Sequence, residues 1–95
     1  MKVADAIAEI LKREGIEIVC GYPVNHVLEH VAMADIRPII VRQERHGLHM
    51  ADAMSRLSSG KTIGVFAMQL GPGTENAYGG IAQAYSESVP ILVLP

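Results

Sequence analysis

"PIIVRQERHGLHMADAMSRLSSG", Pro38 to Gly60, reads as a strand, a loop and a helix in succession. Pro38 to Val41 is a short apolar run rich in β-branched residues, and "RQERHG" (Arg42 to Gly47) is a polar break. Met50, Ala53, Met54 and Leu57 then recur at the spacing of one helical face, which predicts a buried stripe that ends at "SSG". A carboxylate, Glu44, stands where the strand gives way to the helix.

The same alternation extends in both directions. Upstream, "IEIVC" (Ile16 to Cys20) predicts a strand broken by Gly21 and Pro23, after which Val24, Val27, Leu28 and Val31 fall on one helical face. Before it, Val3, Ile7, Ile10 and Leu11 trace an amphipathic helix that Gly15 stops. Downstream, "TIGVFAM" (Thr62 to Met68) predicts a third strand and "GPGT" a tight turn, with Thr74 able to cap the next helix. Ala77, Ile81, Ala84 and Tyr85 give that helix its apolar stripe, and "VPILVLP" is a fourth strand. Gly79 and Gly80, costly by about 1 kcal/mol each inside a helix, suggest close packing of helix on sheet.

Short, nearly continuous apolar strands alternating with helices imply an α/β fold: a parallel sheet with helices on both faces. Right-handed crossovers then bring the strand-to-helix loops "GYPVNH", "RQERHG" and "QLGPGTEN" to one edge of the sheet, where open α/β sheets bind ligands. A chain of 95 residues makes one domain, 1–95, and its end directly after a strand suggests the front portion of a longer, C-terminally incomplete unit.

Composition narrows the function. A net charge of −2 with 19% charged residues gives no basic surface for nucleic acid. The charged N-terminal segment "MKVADAIAEILKREG" is neither a signal peptide nor a membrane span. Cys20 is the single cysteine, so no internal disulfide forms, and the reading is a cytoplasmic protein. His46 and His49 lie three apart, but no third ligand has suitable spacing, so no metal site is assigned. The glycine-rich "LGPGTEN" lacks both the G-K-[ST] ending of a P-loop and the G-x-G-x-x-G of a dinucleotide fold. By residue type alone, Glu44 is an acid in a first helical turn, favourable to the helix dipole.

Taken together, the segments are more specific. "EGIEIVCGYPVN" (Glu14 to Asn25), "VRQERHGLHMADAMSR" (Val41 to Arg56), "LGPGTEN" (Leu70 to Asn76) and "GIAQAYSESVPILVL" (Gly80 to Leu94) match four collinear motifs. The chain resembles the N-terminal pyrimidine-binding (PYR) domain of thiamine-diphosphate enzymes of the acetolactate synthase, pyruvate oxidase and benzoylformate decarboxylase group. The resemblance runs through essentially the whole chain.

That resemblance implies thiamine diphosphate as cofactor and a 2-keto acid as substrate, used in carboligation or decarboxylation. It maps the family's glutamate, which bonds N1′ of the aminopyrimidine and shifts its 4′-amino group toward the imino tautomer, onto Glu44. Tyr22, Pro23 and Val24 would lie beside the pyrimidine, Asn25 and Gln69 near the substrate, and Gly73 and Asn76 on the opposite wall. The sequence departs from the family at Gln43, usually histidine, at Val24, usually glycine, and at Leu70, usually small and polar. Diphosphate and Mg²⁺ would sit on a separate PP domain carrying a G-D-G motif, which this chain lacks, and FAD binding is left open. A second subunit would complete the site, in a homodimer or homotetramer. The competing interpretation is a non-catalytic flavodoxin-like or receiver-like binding module, although "CGYPVN" and "AMQLGP" stand where a receiver carries its acids.

Overall fold

The computed structural model describes residues 1–95. Eight elements follow in order: α1 (Val3–Arg13), β1 (Ile18–Gly21), α2 (Val27–Met33), β2 (Arg37–Ile40), α3 (Glu44–Leu57), β3 (Gly64–Ala67), α4 (Pro72–Ser86) and β4 (Ile91–Leu94). The strands form one parallel sheet in the order β2-β1-β3-β4.

Alternation along the two inner strands builds a core on each face. Val19, Val65 and Ala67 pack with Ala8 and Leu11 of α1 and with Leu28 and Val31 of α2. Their neighbours Cys20, Phe66 and Met68 pack with Leu48 and Ala51 of α3 and with Ala77 of α4. The chain moves one way along the sheet from β1 to β2, and the other way from β2 to β3 and on to β4. The connecting helices change faces at the same point, as a constant crossover hand requires. This reversal opens a crevice between the carboxyl ends of β1 and β3.

All four helices end alike. The residue after each C-cap takes positive φ: Gly15 (83°), Asp35 (66°), Ser59 (55°) and Ser88 (57°). The next backbone N–H reaches back to the carbonyl five residues earlier, as from Ile16 to Leu11, Ile36 to Val31, Gly60 to Ser55 and Val89 to Ala84. These are Schellman ends, and they satisfy carbonyls the helices leave unpaired.

Several sequence expectations shift. The buried face of α3 is Glu44, Gly47, Leu48, Ala51, Asp52 and Ser55, whereas Leu57 of the expected stripe is 86% exposed. Hydropathy misled here because three of the inward residues are polar, and each has its own partner. Asn76 donates to Glu44, Arg56 to Asp52, and Ser55 donates to the Pro90 carbonyl. Arg56 also pairs with Glu87, and the two carboxylates, Asp52 first, hold its guanidinium above its ordinary range.

In α4 the buried face is Gly73, Ala77, Gly80 and Ala84, and Tyr85 is 87% exposed. Gly80 does mark a close approach, but of helix on helix, since a Cβ there would collide with Leu48 of α3. Gly79 faces open space. In α1, Val3 and Ile10 are exposed, and the inward face runs through Ile7, Ala8 and Leu11. Asp5 of α1 meets His30 Nδ1 of α2 at 2.6 Å. The Lys2 backbone N–H, and after it His30, hold the Asp5 carboxyl below the usual carboxylate range. Burial pushes the Cys20 thiol up, which suits a packed, unreactive side chain. No helix is long and apolar enough to cross a membrane.

Candidate functional site

The parallel sheet places the three strand-to-helix loops at one edge, as the sequence predicts. Glu44 is the first residue of α3. The extended backbone of Gln43 caps the helix, and its side-chain oxygen accepts the Arg45 N–H at 2.7 Å. Gln43 therefore has a local structural task. Glu44 is turned inward, 3% exposed, and its Oε1 accepts one hydrogen bond, from Asn76 Nδ2 at 3.2 Å. No lysine or arginine pairs with it.

The second wall comes from α4. Gly71, with φ of 62°, starts the helix, and Pro72 occupies its first turn, so Thr74 lies inside the helix rather than capping it. This start sets Gly73 against the carboxylate. A Cβ built on Gly73 would lie 2.9 Å from Glu44 Oε2 and 2.9 Å from Gln69 Cβ. The carboxylate thus lies beside the first turns of two helices, whose positive dipole ends favour negative charge. Oε2 accepts no hydrogen bond, yet no buried side-chain oxygen or nitrogen is left unpaired. Oε2 therefore keeps a narrow contact with solvent.

The residues expected at the site separate into two groups. Glu44, Gly73, Asn76 and Gln69 come together around the carboxylate. Val24, Asn25 and Gln69 line a neighbouring cleft of 270 Å³, together with His26, Val27, Met68, Leu70 and Pro95. Gln69 joins the two. Val24 is in the loop rather than on α2, which begins at Val27. Tyr22 is fixed by its backbone N–H, which donates to the Ala67 carbonyl at 3.0 Å; neither Tyr22 nor Pro23 lines the cleft. Asn25 spends its side chain on the fold, bonding the carbonyls of Met68 and Leu94 and the N–H of Val27.

The sequence reading missed Val27, Met68 and Pro95 as cleft walls. An asparagine two residues ahead of a helix was the available signal for the Asn25 turn, because that side chain commonly accepts the N–H two residues on. Nothing in the sequence marked the carbonyls of Met68 and Leu94.

A buried carboxyl with one oxygen unbonded thus lies beside a bare glycine backbone at the loop edge of a parallel sheet, the edge at which open α/β folds bind ligands. The chain belongs to the thiamine-diphosphate enzymes: the family described as "Thiamine pyrophosphate enzyme, N-terminal TPP binding domain" matches residues 1–95. It is 39% identical over 95 residues to the acetolactate synthase large subunit of Haemophilus influenzae, covering 96% of this chain and 16% of that protein. It is 41% identical over 95 residues to the acetolactate synthase large subunit of Buchnera aphidicola, with the same coverage. To the chloroplastic acetolactate synthase of Arabidopsis thaliana it is 37% identical over 97 residues, 98% of this chain and 14% of that one. The chain thus spans about a sixth of the length of these relatives. Membership sets aside the receiver-like interpretation.

Proposed function

We propose that this chain is the pyrimidine-binding part of a thiamine-diphosphate-dependent 2-keto acid enzyme of the acetolactate synthase type, and that Glu44 is the carboxyl meeting N1′ of the cofactor's pyrimidine. One observation carries this reading: Glu44 is almost fully buried, has a single hydrogen-bond donor, and leaves Oε2 without a partner beside the bare backbone of Gly73. A carboxylate that served only the helix dipole would gain more by remaining in water.

The residues present fit an aminopyrimidine. Gly73, lacking a Cβ, leaves the carboxylate room at the α4 start, and Asn76 holds Oε1 so that Oε2 is the oxygen available to a ring nitrogen. Thiamine diphosphate, when bound, supplies a carbanion at its thiazolium carbon and an electron sink for decarboxylation. Glu44 would hold and exchange a proton at N1′, in a site where exclusion of water strengthens the interaction. Asn76 orients that carboxyl, and Tyr22, Pro23 and Val24 would edge the ring.

Diphosphate and Mg²⁺ belong, in this reading, to a PP domain, with a second subunit closing the site in a cytoplasmic homodimer or homotetramer. The test is Glu44→Gln in the full-length protein, read as hydrogen–deuterium exchange at cofactor C2. Glutamine keeps the shape but cannot exchange the proton, so the exchange rate should fall about 10²–10⁴-fold. An unchanged rate in a folded, cofactor-bound variant would return Glu44 to a helix-capping role.

A further inference from the structure

Helix α2 has only seven residues, too few for a helix to hold its shape alone in water, so its position depends on what fastens its two ends. The start is tied by Asn25, whose Oδ1 accepts the Val27 N–H at 2.9 Å and whose Nδ2 donates to the carbonyls of Met68 and Leu94. That tie contains no ionisable group. The last turn is tied differently: His30 Nδ1 lies 2.6 Å from Asp5 Oδ1, across the seam between α2 and α1.

Asp5 serves both helices at once. Its Oδ2 accepts the Lys2 backbone N–H at 2.9 Å, so one carboxylate closes the first turn of α1 and grips the last turn of α2. The imidazole is 16% exposed and the carboxylate 36%, so water reaches both and a proton can come and go. With Nδ1 directed at a carboxylate, the neutral ring carries its hydrogen on that nitrogen and donates it to Oδ1. Protonation at Nε2 then turns the same contact into an ion pair, at the helix end whose dipole favours a cation. The geometry stays the same while the attraction changes.

No other charge competes for the histidine. On α1 and before it stand Lys2, Glu9, Lys12 and Arg13, and Glu9 is already paired with Arg13. Beside His30 in its own segment are His26, Glu29 and Asp35; β2 contributes Arg37, and β1 has no charged residue. Of all these elements packed against α2, only Asp5 supplies an ion-pair partner to His30.

We propose that the contact between Asp5 and His30 is a proton-gated latch on the seam between α1 and α2, tightest when both partners are charged. As pH rises through the histidine range, about 5–8, the latch falls back to a neutral donor on a carboxylate. At the acid end the sign is opposite. The Lys2 N–H, and after it His30, hold the Asp5 carboxyl below its ordinary range, so its contribution is present above that range and is lost as pH falls through it. The seam is therefore firmest in mildly acidic solution and loosens on either side.

The test is hydrogen–deuterium exchange read by mass spectrometry on the full-length protein, comparing wild type with His30→Gln at about pH 5.5 and about pH 8.5. Glutamine keeps a donor for Asp5 without a charge. In segments covering α1 and α2, wild type should exchange about two- to fivefold more slowly than the variant at the lower pH, the effect of one partly exposed ion pair at a helix end, and at nearly the same rate at the higher. Exchange in β3 should be unaltered, which shows that the variant is folded. On an Asp5→Asn background, where the partner charge is gone, the difference made by His30→Gln at the lower pH should shrink. Equal protection of wild type and variant at the lower pH, a difference of the same size at both pH values, or a difference that persists undiminished in Asp5→Asn would each overturn the inference.

Discussion

Gly73 has the tightest tolerance in the site, since a methyl group there would press on Glu44 Oε2 and on Gln69 Cβ, each at 2.9 Å. The glutamine Cβ is held by its backbone, so the carboxylate is the group that gives way. Gly73→Ala should therefore displace Glu44 and cost about 10²-fold in kcat/KM, the usual penalty for a misplacement near 1 Å. A urea melt of the same variant should lose about 1–3 kcal/mol from overpacking. Stability loss with an unchanged kcat/KM would mean that the position of Glu44 does not matter to the reaction. Glu44 itself was visible in the sequence only through its motif; by residue type it was an ordinary first-turn acid. Asn25 was expected near the substrate, and its side chain is committed to Met68 and Leu94, partners 43 and 69 residues away that no local pattern reveals.

The elements show why local patterns succeed in some places and fail in others. Strand runs were legible because β3, buried on both faces, is apolar without interruption. The inward faces of α3 and α4 were not, because they carry Glu44, Asp52, Ser55, Gly73 and Gly80, residues whose burial depends on partners in other elements. Helix ends were half legible. Gly15 announced its left-handed cap, but Asp35, Ser59 and Ser88 adopt the same conformation at the other three ends. Left-handed backbone costs a residue with a Cβ about 1–2 kcal/mol, part of which glycine returns as unfolded-state entropy. Ser59→Gly, at an exposed position, should thus raise the domain's stability by about 0.5–1 kcal/mol, read as a higher urea midpoint. A lower midpoint would show that the Ser59 side chain contributes more than its strain costs.

At the scale of the molecule, the parallel sheet and the reversal of direction between β1 and β3 bring three loops, far apart in sequence, to one edge. Strand-helix alternation was enough to predict that edge. The order of the strands, and hence which two loops flank the crevice, required the structure. The chain covers 16% of the Haemophilus influenzae relative. The proposed function turns on the contact between Glu44 and the cofactor. A crystal structure of the full-length protein with thiamine diphosphate measures it directly. The expected result is a Glu44 carboxylate oxygen at about 2.6–3.2 Å from the pyrimidine N1′, with Asn76 still bonded to the other oxygen. A pyrimidine ring seated elsewhere, with Glu44 bonded to Asn76 alone, would contradict it.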